Sequence, residues 1–196
     1  KVGKTLGLGA IASWDGTKAT RLEKKDSTIC YIAADGKLRS QVRTTYYGWK
    51  NNETKNTLSS LISIDAGSKA SQMQIITEKS AENIATGILK DANGKLSVHN
   101  NSNSEWGYIA TFGKQSINKD TQGLVLFFRT KQLKEITEDQ LNHIVVLQPD
   151  KNNYVNYYFM STWELAHDAI KTEEEFTSCI DDILLRLNGK ITVVCK

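Results

Sequence analysis

The sequence has no concentration of charge. Twenty-five Lys and Arg against 22 Asp and Glu leave a formal net charge of +3 over 196 residues, and the lysines are scattered among acids. Nucleic-acid affinity is dominated by phosphate neutralisation and needs a gathered positive face, so this distribution argues against a nucleic-acid partner. No apolar run approaches the ~18 residues that cross a bilayer as a helix, so no membrane span is expected. The basic, apolar, small-residue succession of a secretory signal is missing. The chain opens on Lys1-Val2-Gly3-Lys4 without an initiator Met and reads as a piece trimmed from a longer protein.

Cysteine is sparse and odd in number, with Cys30, Cys179 and Cys195 widely spaced. The absence of any C-x-x-C pair excludes zinc ribbons and thioredoxin-type redox sites. Buried free thiols are expected, since free Cys packs as a small hydrophobe. A single disulfide is the other arrangement, with its pair left open.

Familiar catalytic signatures are missing too. There is no G-x-S-x-G nucleophile elbow. The three histidines, His99, His143 and His167, share no chelating spacing, and no H-E-x-x-H occurs, so no metal and no cofactor is expected. Gly3-Lys4-Thr5 resembles the tail of a phosphate-binding loop, but such a loop must lead straight into a helix whose N-terminus faces the phosphates. Here Gly7 and Gly9 follow and then a β-like run, so a glycine-rich strand is the better description.

The chain is rich in short β-type runs closed by turn residues. Leu6 to Trp14 ends at Asp15-Gly16. Ser27 to Ala33 and Lys37 to Tyr47 flank Asp35-Gly36 and read as a hairpin. Thr57 to Ile64, Gln72 to Thr77, Ile84 to Leu89, Leu96 to His99 and Gly107 to Phe112 continue the series. Gly123 to Arg129 is a continuous apolar run, typical of a strand buried on both faces. His143 to Leu147 and Tyr154 to Thr162 follow. Polar surface loops are expected over Tyr47 to Thr57 and Asn93 to Ser104.

One helix is well signalled over Glu173 to Asn188. Thr172 and Glu175 form a capping box, with three acids at the positive end of the helix dipole. Phe176, Ile180, Ile183, Leu184 and Leu187 share a face. Gly189 supplies a left-handed stop, and a last strand is expected over Ile191 to Cys195. Thr137 and Gln140 suggest a shorter helical turn. Residues 1–196 therefore read as a single mostly-β domain: an antiparallel β-sandwich with one C-terminal α-helix packed on a sheet.

The aromatic residues are the most informative candidates. Tyr46 and Trp49 enter one polar loop, Trp106 leaves another, and Trp163 stands before the helix. Aromatic faces at loop mouths suit stacking on the C–H faces of sugars. Core and cross-strand packing is the competing explanation for each of them. Arg43 on a strand suits bidentate binding of the carboxylate of an acidic sugar, with an ordinary surface ion pair as the competing explanation. His99, at the edge of the Asn/Ser-rich loop, is the side chain best suited to proton transfer near neutral pH. Asp65 and Glu164 are carboxylate candidates by their position beside aromatic segments.

Several blocks together resemble the DUF4861 family. They are Lys1 to Ala10, Trp14-Asp15-Gly16, Val42 to Trp49, Trp106 to Gln115, Tyr157-Tyr158-Phe159 and Trp163-Glu164. The resemblance implies a β-sandwich related in shape to the sugar-binding supersandwiches. It also implies a periplasmic or extracellular protein of polysaccharide-degrading bacteria, often of the Bacteroides kind. Family members are generally longer, which implies a missing N-terminal part as a partner within the same protein. The family name records an unknown function and offers no catalytic residues to transfer.

Two functions follow as expectations. One is an enzyme on acidic or pectin-like oligosaccharides: a glycoside hydrolase, a polysaccharide lyase or an isomerase. In it His99 serves as acid/base, Arg43 binds a uronate, and Tyr46, Trp49, Trp106 and Trp163 form walls. The other is a non-catalytic carbohydrate-binding or scaffold domain. A deep concave site with convergent ionisable groups favours the first, a flat aromatic strip the second. If the active site is completed by another segment or chain, an unpaired strand edge or exposed apolar patch should mark the junction.

Overall fold

The computed structural model describes residues 3–51 and 54–189. Among these residues thirteen strands form two antiparallel sheets. In chain order the strands are β1 (Ala12–Trp14), β2 (Ala19–Arg21), β3 (Ser27–Asp35), β4 (Arg39–Asn51), β5 (Thr54–Asp65), β6 (Ser71–Thr77), β7 (Ile84–Leu89), β8 (Gly94–His99), β9 (Trp106–Gly113), β10 (Gln122–Arg129), β11 (Leu133–Glu138), β12 (Asn142–Leu147) and β13 (Tyr154–Trp163); helix α1 (Glu173–Asn188) follows. The smaller sheet runs β11-β12-β7-β1-β2 and the larger β3-β4-β5-β6-β13-β10-β9-β8. The expected antiparallel sandwich with a C-terminal helix is the observed fold.

Period-two alternation decides what each face of the larger sheet meets. One face presents Leu58, Met73, Ile75, Ile109, Leu126, Phe128, Val155 and Tyr157 to Ile84, Ile88, Val145 and Leu147 of the smaller sheet, making the main core. The opposite face of β9, β10 and β13 presents Trp106, Val125, Phe127 and Met160 to Phe176 and Ile180 of α1. Strand β10 is covered on both sides, and its Val125 to Phe128 run has no exposed surface. That is why its sequence is continuously apolar rather than alternating.

Helix α1 starts as its capping box dictates: the Glu175 amide donates to Thr172 Oγ1 at 3.2 Å and the Thr172 amide to Glu175 Oε2 at 3.3 Å. Phe176 stacks on Phe112 with ring centroids 4.9 Å apart. At the other end Asn188 Oδ1 accepts from the Trp106 amide at 3.1 Å. Gly189 has φ −70° and ψ 140°, so the helix ends by extending and not through the expected left-handed stop. The expected strand over Ile191 to Cys195 lies outside the described residues.

The N-terminal segment is a strand only at Ala12–Trp14. Gly7 and Gly9 both take φ +76°, which breaks the extended run expected from Leu6. A side chain at Gly9 would also strike the Phe159 ring, 2.7 Å away. Buried polar groups hold the segment instead. Tyr157 Oη donates to the carbonyls of Gly9 and Ala10 at 3.1 and 3.2 Å. Asn83 Oδ1 accepts from the Trp14 amide, and Asn142 Oδ1 from the Leu6 amide, both at 2.8 Å.

Other expectations are corrected. Thr137 lies in strand β11, paired with Ile144, where cross-strand pairing overrides the weak capping signal. The loop expected over Tyr47 to Thr57 is shorter, because β4 runs to Asn51 and β5 starts at Thr54. A bulge between Tyr46 and Trp49, with Gly48 at φ +65°, lets the pairing continue. Within Asn93 to Ser104, Gly94–His99 is strand β8 at the sheet edge. Cys30 and Cys179 are free thiols, but Cys30 is exposed rather than buried because β3 is an edge strand, and Cys179 is half-buried. Cys195 lies outside the described residues.

Two outcomes follow for stability. Phe176→Ala removes the ring that seats α1 and should cost about 3–5 kcal/mol, read from chemical denaturation. Asp139, in the turn between β11 and β12, accepts from the amides of Leu141 and Asn142 at 2.8 Å each and from Ala19 at 3.2 Å. Burial raises its pKa, but these bonds outweigh it and hold the carboxyl below its ordinary value. The stabilisation is present above the ordinary carboxylate range and is lost as pH falls through the lowered value. Asp139→Asn should therefore flatten the acid limb of a Tm-against-pH profile.

Candidate functional site

Eight strands face five, so the wing formed by β3, β4 and β5 extends past the smaller sheet. Under this overhang lies a groove of about 430 Å³. Its walls are the Gly9–Ile11 segment and Arg21, Leu22 and Glu23 on one side, and Thr44 and Tyr46 of β4 with Ser60 of β5 on the other. Its floor is Ile62 and Met73. A second hollow of about 240 Å³ shares Ile62 and continues outward past Ile32, Asp35, Val42 and Ile64. The two make one trough along the inner face of the wing.

The groove combines an apolar floor with polar walls. Arg21 and Glu23 form a pair at 2.6 Å on the rim. Tyr46 is half-buried and packs against the main core, which fixes its ring as part of the wall. The Lys25 ammonium lies 5.9 Å from the centre of that ring. Thr44 Oγ1 donates to Cys30 Sγ at 3.3 Å, and Ser60 Oγ donates to the Thr44 carbonyl at 3.4 Å. Tyr157 fastens the Gly9–Ala10 wall from below. Burial drives its pKa up, so the phenol stays a donor throughout the neutral range.

The residues proposed from sequence do not converge. Tyr46 lines the groove. Trp49, three residues later, is 1% exposed in the main core, and Trp106 is 2% exposed beneath α1. Both are packing residues rather than cleft walls. The Trp106 indole is met edge-on by Tyr158 and capped by the Arg129 guanidinium, 4.3 Å from its ring centre. Arg43 sits on the opposite face of the wing from Tyr46, with Nη1 3.4 Å from Ser59 Oγ. Trp163 is 42% exposed at the end of β13, donating Nε1–H to Asp120 at 3.3 Å.

His99 ends β8 and stacks on Tyr108, with ring centroids 5.6 Å apart. Six interstrand steps separate β8 from β4, a span of ~29 Å along the sheet at ordinary strand spacing. His99 and Arg43 therefore cannot hold one sugar between them. The carboxylate candidates are engaged elsewhere. Arg39 binds Asp65 through two bonds of 2.5 and 2.8 Å and holds its pKa down. The Thr121 amide donates to Glu164 at 2.8 Å and lowers it likewise. Burial, and then Lys90, push the His143 pKa down.

The groove residues missed by sequence reasoning are Arg21, Glu23, Thr44 and Ser60. Alternation in β4 was a usable signal for Thr44: Val42, Thr44 and Tyr46 share one face, and Arg43 falls on the other. Arg21 and Glu23 flank the end of a three-residue strand, which has no periodicity to read. Among the described residues, no group of three His, Cys, Asp or Glu is placed to hold a metal ion, and no helix is long and apolar enough to cross a membrane.

Comparison with known proteins adds the following. No curated protein matches the chain in sequence. Two solved structures of α-N-acetylgalactosaminidase NagBb from Bifidobacterium bifidum are similar in shape. The quadruple mutant has a TM-score of 0.44 at 8% identity, and the GalNAc complex 0.41 at 9%. Each match covers 90% of this chain and 34% of the other, so the chain spans about a third of the length of those proteins. A family model described as a domain of unknown function, DUF4861, matches residues 1–193, and the chain belongs to that family.

Proposed function

We propose that this domain binds carbohydrate non-catalytically, laying an oligosaccharide along the trough between β2 and the overhanging wing. The observation that carries this reading is the composition of that trough. An aromatic wall, Tyr46, stands over an apolar floor of Ile62 and Met73, with hydroxyls at Thr44 and Ser60 and a charged pair at the rim. Sugars present apolar C–H faces edged by hydroxyls, and a few fixed polar groups around a mostly apolar concavity give orientation and selectivity. The trough is elongated, which suits several residues of a chain rather than one.

Binding is favoured over turnover by the ionisable groups present. Hydrolysis with general acid catalysis needs a carboxyl held protonated near neutral pH beside a second carboxylate. Two carboxylates line the trough, Glu23 in the groove, ion-paired with Arg21, and Asp35 in the outer hollow. Every described carboxylate with a resolved displacement is moved down, none up.

Titration calorimetry against neutral and acidic plant and algal oligosaccharides tests the reading. Binding without product by mass is the expected result. Tyr46→Ala should weaken it roughly tenfold, the loss of about 1.4 kcal/mol, whereas Arg43→Ala on the opposite face should leave it unchanged. Loss of binding in Arg43→Ala with retention in Tyr46→Ala would move the site to the other face and sink the proposal. Tyr157→Phe frees the Gly9–Ala10 wall; it should cost about 1–3 kcal/mol of stability and weaken binding alongside.

A further inference from the structure

A sheet edge offers N–H and C=O groups to any extended chain, and proteins blunt it with short strands, charges, Pro, bulges or a cover. Among the described residues the two sheets have four edges, and three of them are short or charged. Strand β2 has three residues. Strand β11 carries Lys134, Glu135 and Glu138 and has a bulge between Leu133 and Glu135. Strand β8 carries Lys95, which binds Glu173 of α1 at 2.6 Å.

Strand β3 carries a single bulge, between Ile32 and Ala34 near its end, and is otherwise unprotected. It is nine residues long, and from Ser27 to Ala34 it contains no charge and no Pro. Its apolar side chains stand in solvent: Ile29, Tyr31 and Ile32 are 54%, 51% and 69% exposed. The register carries the apolar surface inward on the groove side, Ile32 beside Val42 and Val42 beside Ile62.

We infer that β3 pairs antiparallel with β3 of a second copy of this chain, about a two-fold axis close to Tyr31. The ends of the strand select this occupant and this direction. Lys25 precedes the strand and reaches over Tyr46, on the groove side. Asp35 closes the strand and lines the outer hollow, also on the groove side. Neither has an ion-pair partner among the described residues, whereas the intervening Asp26 is bound by Lys55 at 2.9 Å. Antiparallel self-pairing brings Lys25 of each copy to the Asp35 end of the other; parallel pairing would set like charges together. A two-fold axis perpendicular to the sheet keeps each face on its own side. The two Ile32–Val42–Ile62 rows then meet, and the two outer hollows open into each other.

Sedimentation equilibrium of the full chain over a concentration series tests this. The expected mass rises to about twice that of the monomer. Tyr31→Lys and Ile32→Lys replace exposed side chains, so Tm should hold, while the dimer dissociation constant rises at least roughly tenfold from like charges set across the axis. Lys25→Glu and Asp35→Lys should each weaken the dimer, and the double variant should restore it. Hydrogen exchange of the 27–35 amides should slow with concentration in the native chain and not in Tyr31→Lys. A monomer at every concentration overturns the inference. So does a dimer that both lysine variants leave intact with exchange at 27–35 unchanged, because that dimer uses another surface.

Discussion

The difference in width between the two sheets governs most of what is distinctive in this protein. Five strands cannot cover eight. Where the sheets overlap, both contribute aliphatic side chains and the core closes; Ile84, Ile88, Leu126 and Val145 have no exposed surface. Where they do not overlap, the larger sheet must find other cover. The outer face of β9, β10 and β13, which the smaller sheet does not touch, is covered by the helix. On the inner side of the wing, the N-terminal segment covers the first part and leaves the rest as a trough. The geometry of the candidate site is thus a consequence of an incomplete second layer.

An incomplete layer needs a firm boundary, or the groove would collapse or fill. Buried hydrogen bonds provide it. Tyr157, Asn83 and Asn142 hold a segment that two left-handed glycines keep from forming a long strand. Each bond contributes only about 1 kcal/mol net, but leaving any of these buried groups unpaired costs more. The arrangement therefore specifies one position for the wall more strongly than it raises stability.

The elements with one dominant local signal were legible in the sequence. The Asp35-Gly36 hairpin formed, with the Gly36 amide bonded to the Arg39 carbonyl at 3.1 Å. The Thr172 capping box started the helix, and the apolar Val125 to Phe128 run proved to be a strand covered on both faces. The site was much less legible. Tryptophans at strand ends are equally good as walls or as core, and only burial separates them; Trp49 and Trp106 went to the core. The parity of β4 already divides Arg43 from Tyr46, yet which face would remain open depends on the partner sheet's width. That width was set by β1 and β2, three residues each, too short for a periodic signal.

The same overhang that makes the trough also makes the bare edge. Extending the smaller sheet by two more strands would bury Val42, Ile62 and Ile64 and stabilise the wing, but it would fill the groove. Leaving the wing uncovered keeps the groove and exposes a neutral, apolar strand, a surface that natural sheets seldom leave free. A charge placed on β3 would protect that edge at little structural cost, since its side chains already stand in solvent. The sequence places charges within β8 and β11, in the same fold, and none on β3 between Ser27 and Ala34. That selective omission is better explained by an edge that is occupied than by one left unguarded.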